Sequence, residues 1–202
     1  MEANTKCGSS TETPRVWHYY RQHDFTLASI TGRLSMAYKS QAIANLLIDV
    51  AKKHGQTLDQ MKLQKLVYIS HGWNLAISGS PLINDQIQAW QYGPVIPVLY
   101  DEFKNCGRSP IMDYATDIEI DSSTLSVLLK PIFIKKNDSH TRDLIQKIWE
   151  VYGDLTGPQL SNLTHMPETP WDEVYKTNPR SEISNDLIRN HFVKLSNQSH
   201  AQ

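Results

Sequence analysis

The sequence predicts a mainly helical domain with a minor β element, an α+β fold. Several segments repeat apolar residues at i, i+3, i+4 and i+7, and residue types that cap helices stand at their ends. One short segment, 86–92, instead alternates between two faces, as a half-buried strand does. We therefore expect a compact helical domain with a short strand or hairpin around residues 82–92.

The two longest apolar patterns predict consecutive helices. The first spans 40–53, and Gly55 closes it as a C-terminal cap. Thr57 with Gln60 three residues later predicts a capping box at the start of the second helix, which Gly79 ends. The predicted buried faces consist of Ile43, Leu46, Leu47, Val50, Ala51, Leu63, Leu66, Val67, Trp73 and Ile77.

Gly72 lies inside the second predicted helix. Glycine there costs about 1 kcal/mol relative to alanine, so we expect another element to pack closely against its backbone. For the strand at 86–92, the expected partner is the Leu82–Ile83 segment or residues near Ile118–Ile120.

Prolines mark the next helix. Pro94 and Pro97 fit a helix start, because the backbone N–H groups of a first turn have no partner within the helix, and we predict a third helix over 97–104. The segment 107–137 mixes prolines with a DIEID alternation and an IFI run, which predicts short strands or an ordered loop.

Four more helices are predicted in the C-terminal part, and the chain after Leu195 is expected to fray. Each of these helices begins at a capping residue followed by apolar residues at helical spacing. The caps are Asp138, Thr156 with Gln159, Thr169 before Pro170, and Ser184.

Composition places the chain among ordinary globular proteins and disfavours several functions. Hydrophobic residues make up 40% and charged residues 20%, and the net charge of -1 gives no basic footprint for nucleic acid. Cys7 and Cys106 lie far apart in the sequence and belong to no CxxC or Cys/His array, so we expect them to be reduced thiols in a cytosolic protein. No apolar run is long enough for a membrane span or a signal peptide, so we expect a cytoplasmic protein.

No motif for catalysis, cofactor binding or metal binding is present in the sequence. The eight histidines do not form an HExxH pair, the nine glycines are scattered singly, and no GxSxG elbow occurs. A hydrolase using His71 or Cys106 is a remote alternative. We therefore expect a binding protein without a cofactor, and not an enzyme.

Three segments carry a family resemblance. They are KLQKLVYISHGWNLAISGSPL, IQAWQYGPVIPVLYDEFK and IWEVYGDLTGPQLSNLTHMPETPWDEVY. The chain resembles the Panacea domain of SocA-like antitoxins, proteins also described as phage-associated and GepA-like. The resemblance runs from about residue 36 to 195. It leaves 1–35 as an N-terminal extension, disordered or a mis-assigned start before Met36, and 196–202 as a C-terminal tail.

The resemblance implies an antitoxin that neutralises a cognate protein toxin, encoded by a neighbouring gene on a prophage or other mobile element, by direct binding. It also implies an alternative, an adaptor that delivers the toxin to an ATP-dependent protease. Because family members pair with many unrelated toxins, it names no toxin and assigns no contact residues.

Aromatic side chains and one histidine are the candidate contact residues, because aromatic residues are enriched at the centres of protein interfaces. Aromatic residues at these spacings usually build cores, and His71 fits better as a half-buried structural histidine than as a contact residue. The candidates for partner binding are Tyr68, His71, Trp90, Tyr92 and Tyr100.

A DNA-binding regulator is the other alternative. The two helices around Gly153 could imitate a helix-turn-helix, with Gln159 and Asn162 on the second helix. Lys147 and Arg142 are the sole positive charges nearby, which is too few to grip phosphates, so nucleic-acid binding is not expected.

Overall fold

The computed structural model describes residues 37–121 and 126–200, so the predicted N-terminal extension, 1–35, lies outside the described residues. The described part is mainly helical with two small antiparallel sheets of two strands each, which confirms the predicted fold class. The elements are α1 (Ser40–Lys53), α2 (Gln60–Ser78), β1 (Gln88–Trp90), β2 (Gly93–Val95), α3 (Pro97–Phe103) with a 3-10 turn (Lys104–Cys106), β3 (Thr116–Asp121), β4 (Ser126–Pro131), α4 (Ser139–Tyr152), α5 (Gly157–Thr164), α6 (Pro170–Thr177) and α7 (Asn185–His200).

Helix α2 runs through the centre of the fold. It packs against α1, α3, α4, α5, α7 and β2, and every side chain from Lys62 to Leu75 is buried. Helix α2 accordingly shows little separation of apolar and polar faces, and several of its buried residues are polar, whereas the apolar residues of α1 and α4 concentrate on one side of each helix. The other helices form a shell around α2.

The helix caps agree with the sequence at most positions. Asp138 and Thr169 accept from backbone N–H groups of α4 and α6, and Thr156 with Gln159 forms the complete capping box of α5. Ser184 accepts from the Leu187 N–H at the start of α7.

The cap of α2 was wrongly predicted. Asp59, and not Thr57, is the N-cap, and its carboxylate accepts from the Lys62 backbone N–H at 2.9 Å. An aspartate at the N-cap accepts from the N–H of the third helical residue as well as a threonine does, and its negative charge is favourable at a helix N-terminus.

The predicted strand partners were also wrong. Strand β1 pairs with β2, so Pro94 lies in a strand opposite Ala89 rather than in a helix start. On its other side β1 bonds to residues 180–183, with the Ala89 N–H donating to Ser181. Proline fits at this position because the N–H and C=O of Ala89 both bond to residues 180–181, so the Ala89–Pro94 pair needs no backbone donor from Pro94.

The segment 107–137, for which short strands or an ordered loop were predicted, contains short strands: β3 and β4 form a hairpin whose register pairs Ile118 with Leu129. Helix α7 continues to His200, beyond the fraying point predicted at Leu195.

The close approach expected at Gly72 is present. The ring of Phe192, on α7, lies where a Cβ at Gly72 would be, so the side chain would overlap the ring. Tyr68 and Trp73 flank the same ring, with centroids 6.1 Å and 5.4 Å from it. Gly72 is therefore the position at which α7 docks on α2.

We expect Gly72→Ala to lower the free energy of unfolding by roughly 1–2 kcal/mol. Overpacking costs about 1–3 kcal/mol, and part of it is offset by the better helix propensity of alanine. Urea denaturation measures the change. In a Phe192→Leu background the same substitution should cost clearly less, since the ring is gone, and equal costs in the two backgrounds would contradict this packing.

Candidate functional site

A groove of about 780 Å³ opens beside the N-terminal end of α2. Its walls come from α2, the β1–β2 turn, α3 and its 3-10 turn, the start of α5 and the end of α6. We call it the aromatic groove, and it is lined by Asp59, Gln60, Met61, Gln64, Lys65, Trp90, Gln91, Tyr92, Val95, Tyr100, Gly107, Arg108, Pro158, Tyr175, Pro179 and Arg180.

Three of the five residues predicted to bind a partner meet in the aromatic groove. The rings of Trp90 and Tyr100 are 5.1 Å apart, and Tyr92 is 63% exposed. The Arg180 guanidinium lies 5.3 Å from the Trp90 ring centroid, at cation–π distance. Three residues selected by residue type therefore lie along one wall of this groove, and their role in partner binding stays a prediction.

The turn that carries these aromatic residues is held from behind by α5 and α6. The Trp171 indole N–H donates to the Trp90 carbonyl at 2.7 Å, and the Ser161 hydroxyl donates to the Tyr92 carbonyl at 3.1 Å. Tyr175 stacks on Trp171 and continues the wall into the groove. The turn is thus a fixed part of the binding surface, because its carbonyls are bonded to side chains of two helices.

Lys65 is the unusual residue of the groove. It is 2% exposed, and its Nζ donates to the Pro94 carbonyl at 3.0 Å. A Cβ at Gly93, where φ is +101°, would lie 2.6 Å from that Nζ and 2.9 Å from Thr164 Oγ1, so glycine is required there. Burial lowers the pKa of Lys65 to about 7.

The charges that line the groove favour an anionic ligand. Lys65, Arg108 and Arg180 are cationic, whereas the one lining carboxylate, Asp59, already caps α2. None of the ion pairs in the described residues involves these three cations. This local positive charge was not predicted from the sequence, because the cations come from three separate segments and the net charge is near zero.

The β3–β4 hairpin presents a second surface. Its register places Ile118, Val127 and Leu129 on one face, and these side chains are about two-thirds exposed. The opposite face carries Glu119 and Lys130, whose charges pair at 2.7 Å. We call the first face the apolar face. In the described residues no other strand joins this sheet.

The hairpin stands on a rigid base. Asn45, fully buried on α1, donates to the carbonyls of Ala115 and Ile132 and accepts the Ala115 N–H, each at 2.8 Å. Asp49, one turn further along α1, accepts from the Tyr114 hydroxyl. One polar stripe of α1 therefore clamps both ends of the hairpin.

Tyr68 and His71, the other two predicted residues, lie in the interior. Tyr68 packs against Phe192, and burial raises the pKa of its hydroxyl above the ordinary value. His71 Nδ1 accepts the Ile83 N–H at 3.3 Å, so Nε2 carries the proton and faces Asn185 Oδ1 at 2.8 Å. With both ring nitrogens engaged, His71 is not placed to act as a base.

Neither a metal site nor a membrane segment is found in the part of the chain that the structure describes. No three His, Cys, Asp or Glu side chains there are grouped so as to hold a metal ion. No helix among residues 37–121 and 126–200 has both the length and the apolar character that crossing a bilayer requires.

Comparison with known proteins identifies the family. The family model "Antitoxin SocA-like, Panacea domain" matches residues 63–172, a span that holds most of the aromatic groove and the whole β3–β4 hairpin. The chain belongs to this family. It is also 33% identical to Antitoxin SocA of Caulobacter vibrioides (strain NA1000 / CB15N) over 135 residues, 67% of this chain and 69% of that protein. No solved structure matches the chain.

The Panacea domain match does not extend to every residue of the site. Arg180 and helix α7 lie beyond residue 172, and α1, which clamps the hairpin, precedes residue 63. The family model therefore covers the whole β3–β4 hairpin and most of the aromatic groove, while the rest of the groove and part of the support of both surfaces come from flanking segments of this chain.

Protonation of His71 is expected to destabilise the protein as pH falls. Burial lowers the pKa of His71 to about 4 from an ordinary 6.5, so the unfolded state binds the proton first. Stability should be constant with respect to this group above pH 6.5. Between pH 6.5 and about 4 it should fall by up to about 1.4 kcal/mol per pH unit.

The measurement is urea denaturation of wild type and His71→Asn at several pH values. Asparagine keeps an acceptor for the Ile83 N–H but does not titrate. The difference between the two stabilities isolates the contribution of His71 to the pH dependence. Other groups contribute to both proteins alike, among them His191, because burial lowers its pKa as well. Parallel pH profiles of the two proteins would refute the assignment.

Proposed function

We propose that this protein is an antitoxin that neutralises a cognate protein toxin by direct contact. Family membership and the 33% identity to Antitoxin SocA support the antitoxin role. The observation that carries direct contact is the uncovered apolar face of the β3–β4 hairpin, because contiguous exposed apolar side chains mark sites where another protein binds.

The apolar face is suited to a protein partner. Ile118, Val127 and Leu129 give it β-branched and leucine side chains that lose unfavourable contact with water when covered. A two-stranded hairpin is only marginally stable in water, yet this one is clamped at its base by Asn45. The fixed base means that little ordering entropy is lost when a partner covers the face.

The contact mechanism also fits the positions of His71 and Cys106, the two residues considered for a hydrolase. His71 is engaged by backbone and side chain, and Cys106 lies at the end of the 3-10 turn. The proposal therefore assigns the protein a binding role without turnover. The partner is a toxin, and we place its gene next to that of the antitoxin.

The first experiment expresses the neighbouring open reading frame with and without this protein. Growth arrest that the protein relieves, together with co-purification of a stable complex, supports the proposal. Relief of arrest with no complex, but with toxin loss that requires an ATP-dependent protease, would replace direct neutralisation by delivery. Salt-dependent binding to promoter DNA in place of a complex would indicate a regulator.

Leu129→Lys should weaken the complex at least tenfold and abolish growth rescue, because it places an uncompensated charge within the covered apolar face. The matched control is Leu128→Lys, the adjacent residue, which lies on the opposite face across from Glu119. Titration calorimetry measures both affinities, and circular dichroism confirms folding. Equal affinities for the two variants would remove the apolar face as the contact surface.

A further inference from the structure

Lys65 carries a charge that the fold does not need. Its Nζ has three N–H groups, and the Pro94 carbonyl accepts one of them. The preceding residue, Gln64, bonds in the same way to the backbone of Ile96, at 3.2 Å and 3.0 Å, with an uncharged amide. Burying an ammonium is costly, and the uncharged amide of Gln64 shows that a neutral side chain can make the same kind of bond to backbone. The fold alone therefore does not account for a lysine at this position.

The position of Lys65 points to a ligand. It lines the aromatic groove, and no carboxylate in the described part of the chain pairs with it. Buried, unpaired ionisable groups in a groove are found preferentially at functional sites. Arg108 and Arg180 add to the positive charge of the same groove, so the missing counter-charge is an anion.

We propose that the aromatic groove is a second docking site, which takes an acidic side chain from an extended segment of the partner. The carboxylate pairs with the Lys65 ammonium, and a neighbouring aromatic or proline residue of the segment packs against Trp90 and Tyr100. The identity of the partner as the toxin rests on the proposed function, whereas the site itself does not.

An acidic side chain fits better than a chain end. Lys65 is 2% exposed and its Nζ lies against the backbone of Gly93 and Pro94, so a flexible side chain brings a carboxylate to it more readily than the end of a backbone does. A glutamate side chain has that flexibility and length. The segment's backbone then remains among the exposed Tyr92 and the half-buried Tyr100.

Binding at this site takes up a proton above neutral pH. Burial alone lowers the pKa of Lys65, and a carboxylate placed beside it would raise that pKa again. The charged groups that line the groove with it are Asp59, Arg108 and Arg180. The affinity for the acidic side chain should therefore fall as pH rises above about 7, because the Lys65 amine of the unbound protein loses its proton there.

The test is nuclear magnetic resonance of the full chain labelled with ¹³C at the lysine Cε positions. The probes are acetyl-Trp-Glu-amide and acetyl-Trp-Gln-amide, which differ by one carboxylate. The Lys65 resonance, identified by its loss in Lys65→Met, should shift and its pKa should rise with the glutamate peptide alone. No shift, or the same shift with both peptides, overturns the proposal. Acetyl-tryptophan binding more tightly than the glutamate peptide would assign the site to a chain end instead, which also overturns it.

Lys62→Met is the matched control for Lys65→Met, because Lys62 is a second buried lysine on α2 that bonds to Gly153 outside the groove. Lys65→Met should lose the preference for the glutamate peptide at least tenfold, and Lys62→Met should keep it. Should Lys65→Met fail to fold, the wild-type affinities for the two peptides still decide, because they need no resonance assignment, and equal affinities would overturn the proposal. The peptides need no toxin, so a failure of the proposed function would leave their result unaffected, and the two failures are distinguishable.

Discussion

The structure depends on the hydrogen bonds that the polar side chains of α2 make to surrounding backbone. Because α2 is buried on all sides, each of its polar groups needs a partner inside the protein, and loops supply the partners. Gln64 bonds to Ile96, Lys65 to Pro94, and His71 to Ile83. These three bonds fix the segment that leads from the end of α2 to the start of α3. The aromatic groove is therefore a direct product of how the central helix satisfies its own polar residues.

Helix α1 repeats this principle on the other side of the domain. The Asn45 side chain donates two hydrogen bonds to, and accepts one from, the backbone of Ala115 and Ile132, the residues just before and just after the β3–β4 hairpin. Thr116, at the start of β3, also donates its backbone N–H to Glu102 of α3. Helix α3 thus contributes Tyr100 to the groove and Glu102 to the hairpin base, and it connects the two candidate surfaces. A partner that covers both would meet one rigid framework.

Local sequence patterns predicted the helices. They could not predict which distant segments contact one another. Caps such as Thr156 with Gln159 act within one turn, so the sequence contains the whole interaction. The pairing of β1 with residues 180–183 joins segments about ninety positions apart, and no pattern within 86–92 specifies it. Trp90, Tyr92 and Tyr100 could be selected by residue type. Lys65 could not, because a lysine within a helix is ordinarily exposed, and its burial follows from packing on every side of α2.

The division between framework and surface has a consequence for specificity. Asn45, Gln64 and Gly93 are tied to the backbone of other segments, so their replacement disturbs the fold itself. Ile118 and Leu129 contact water, and the core does not require their identity. Changes at such exposed positions should therefore cost little folding free energy. Where the apolar face and the rim of the aromatic groove contact the partner as we propose, such changes would alter which partner surface fits while the fold is kept.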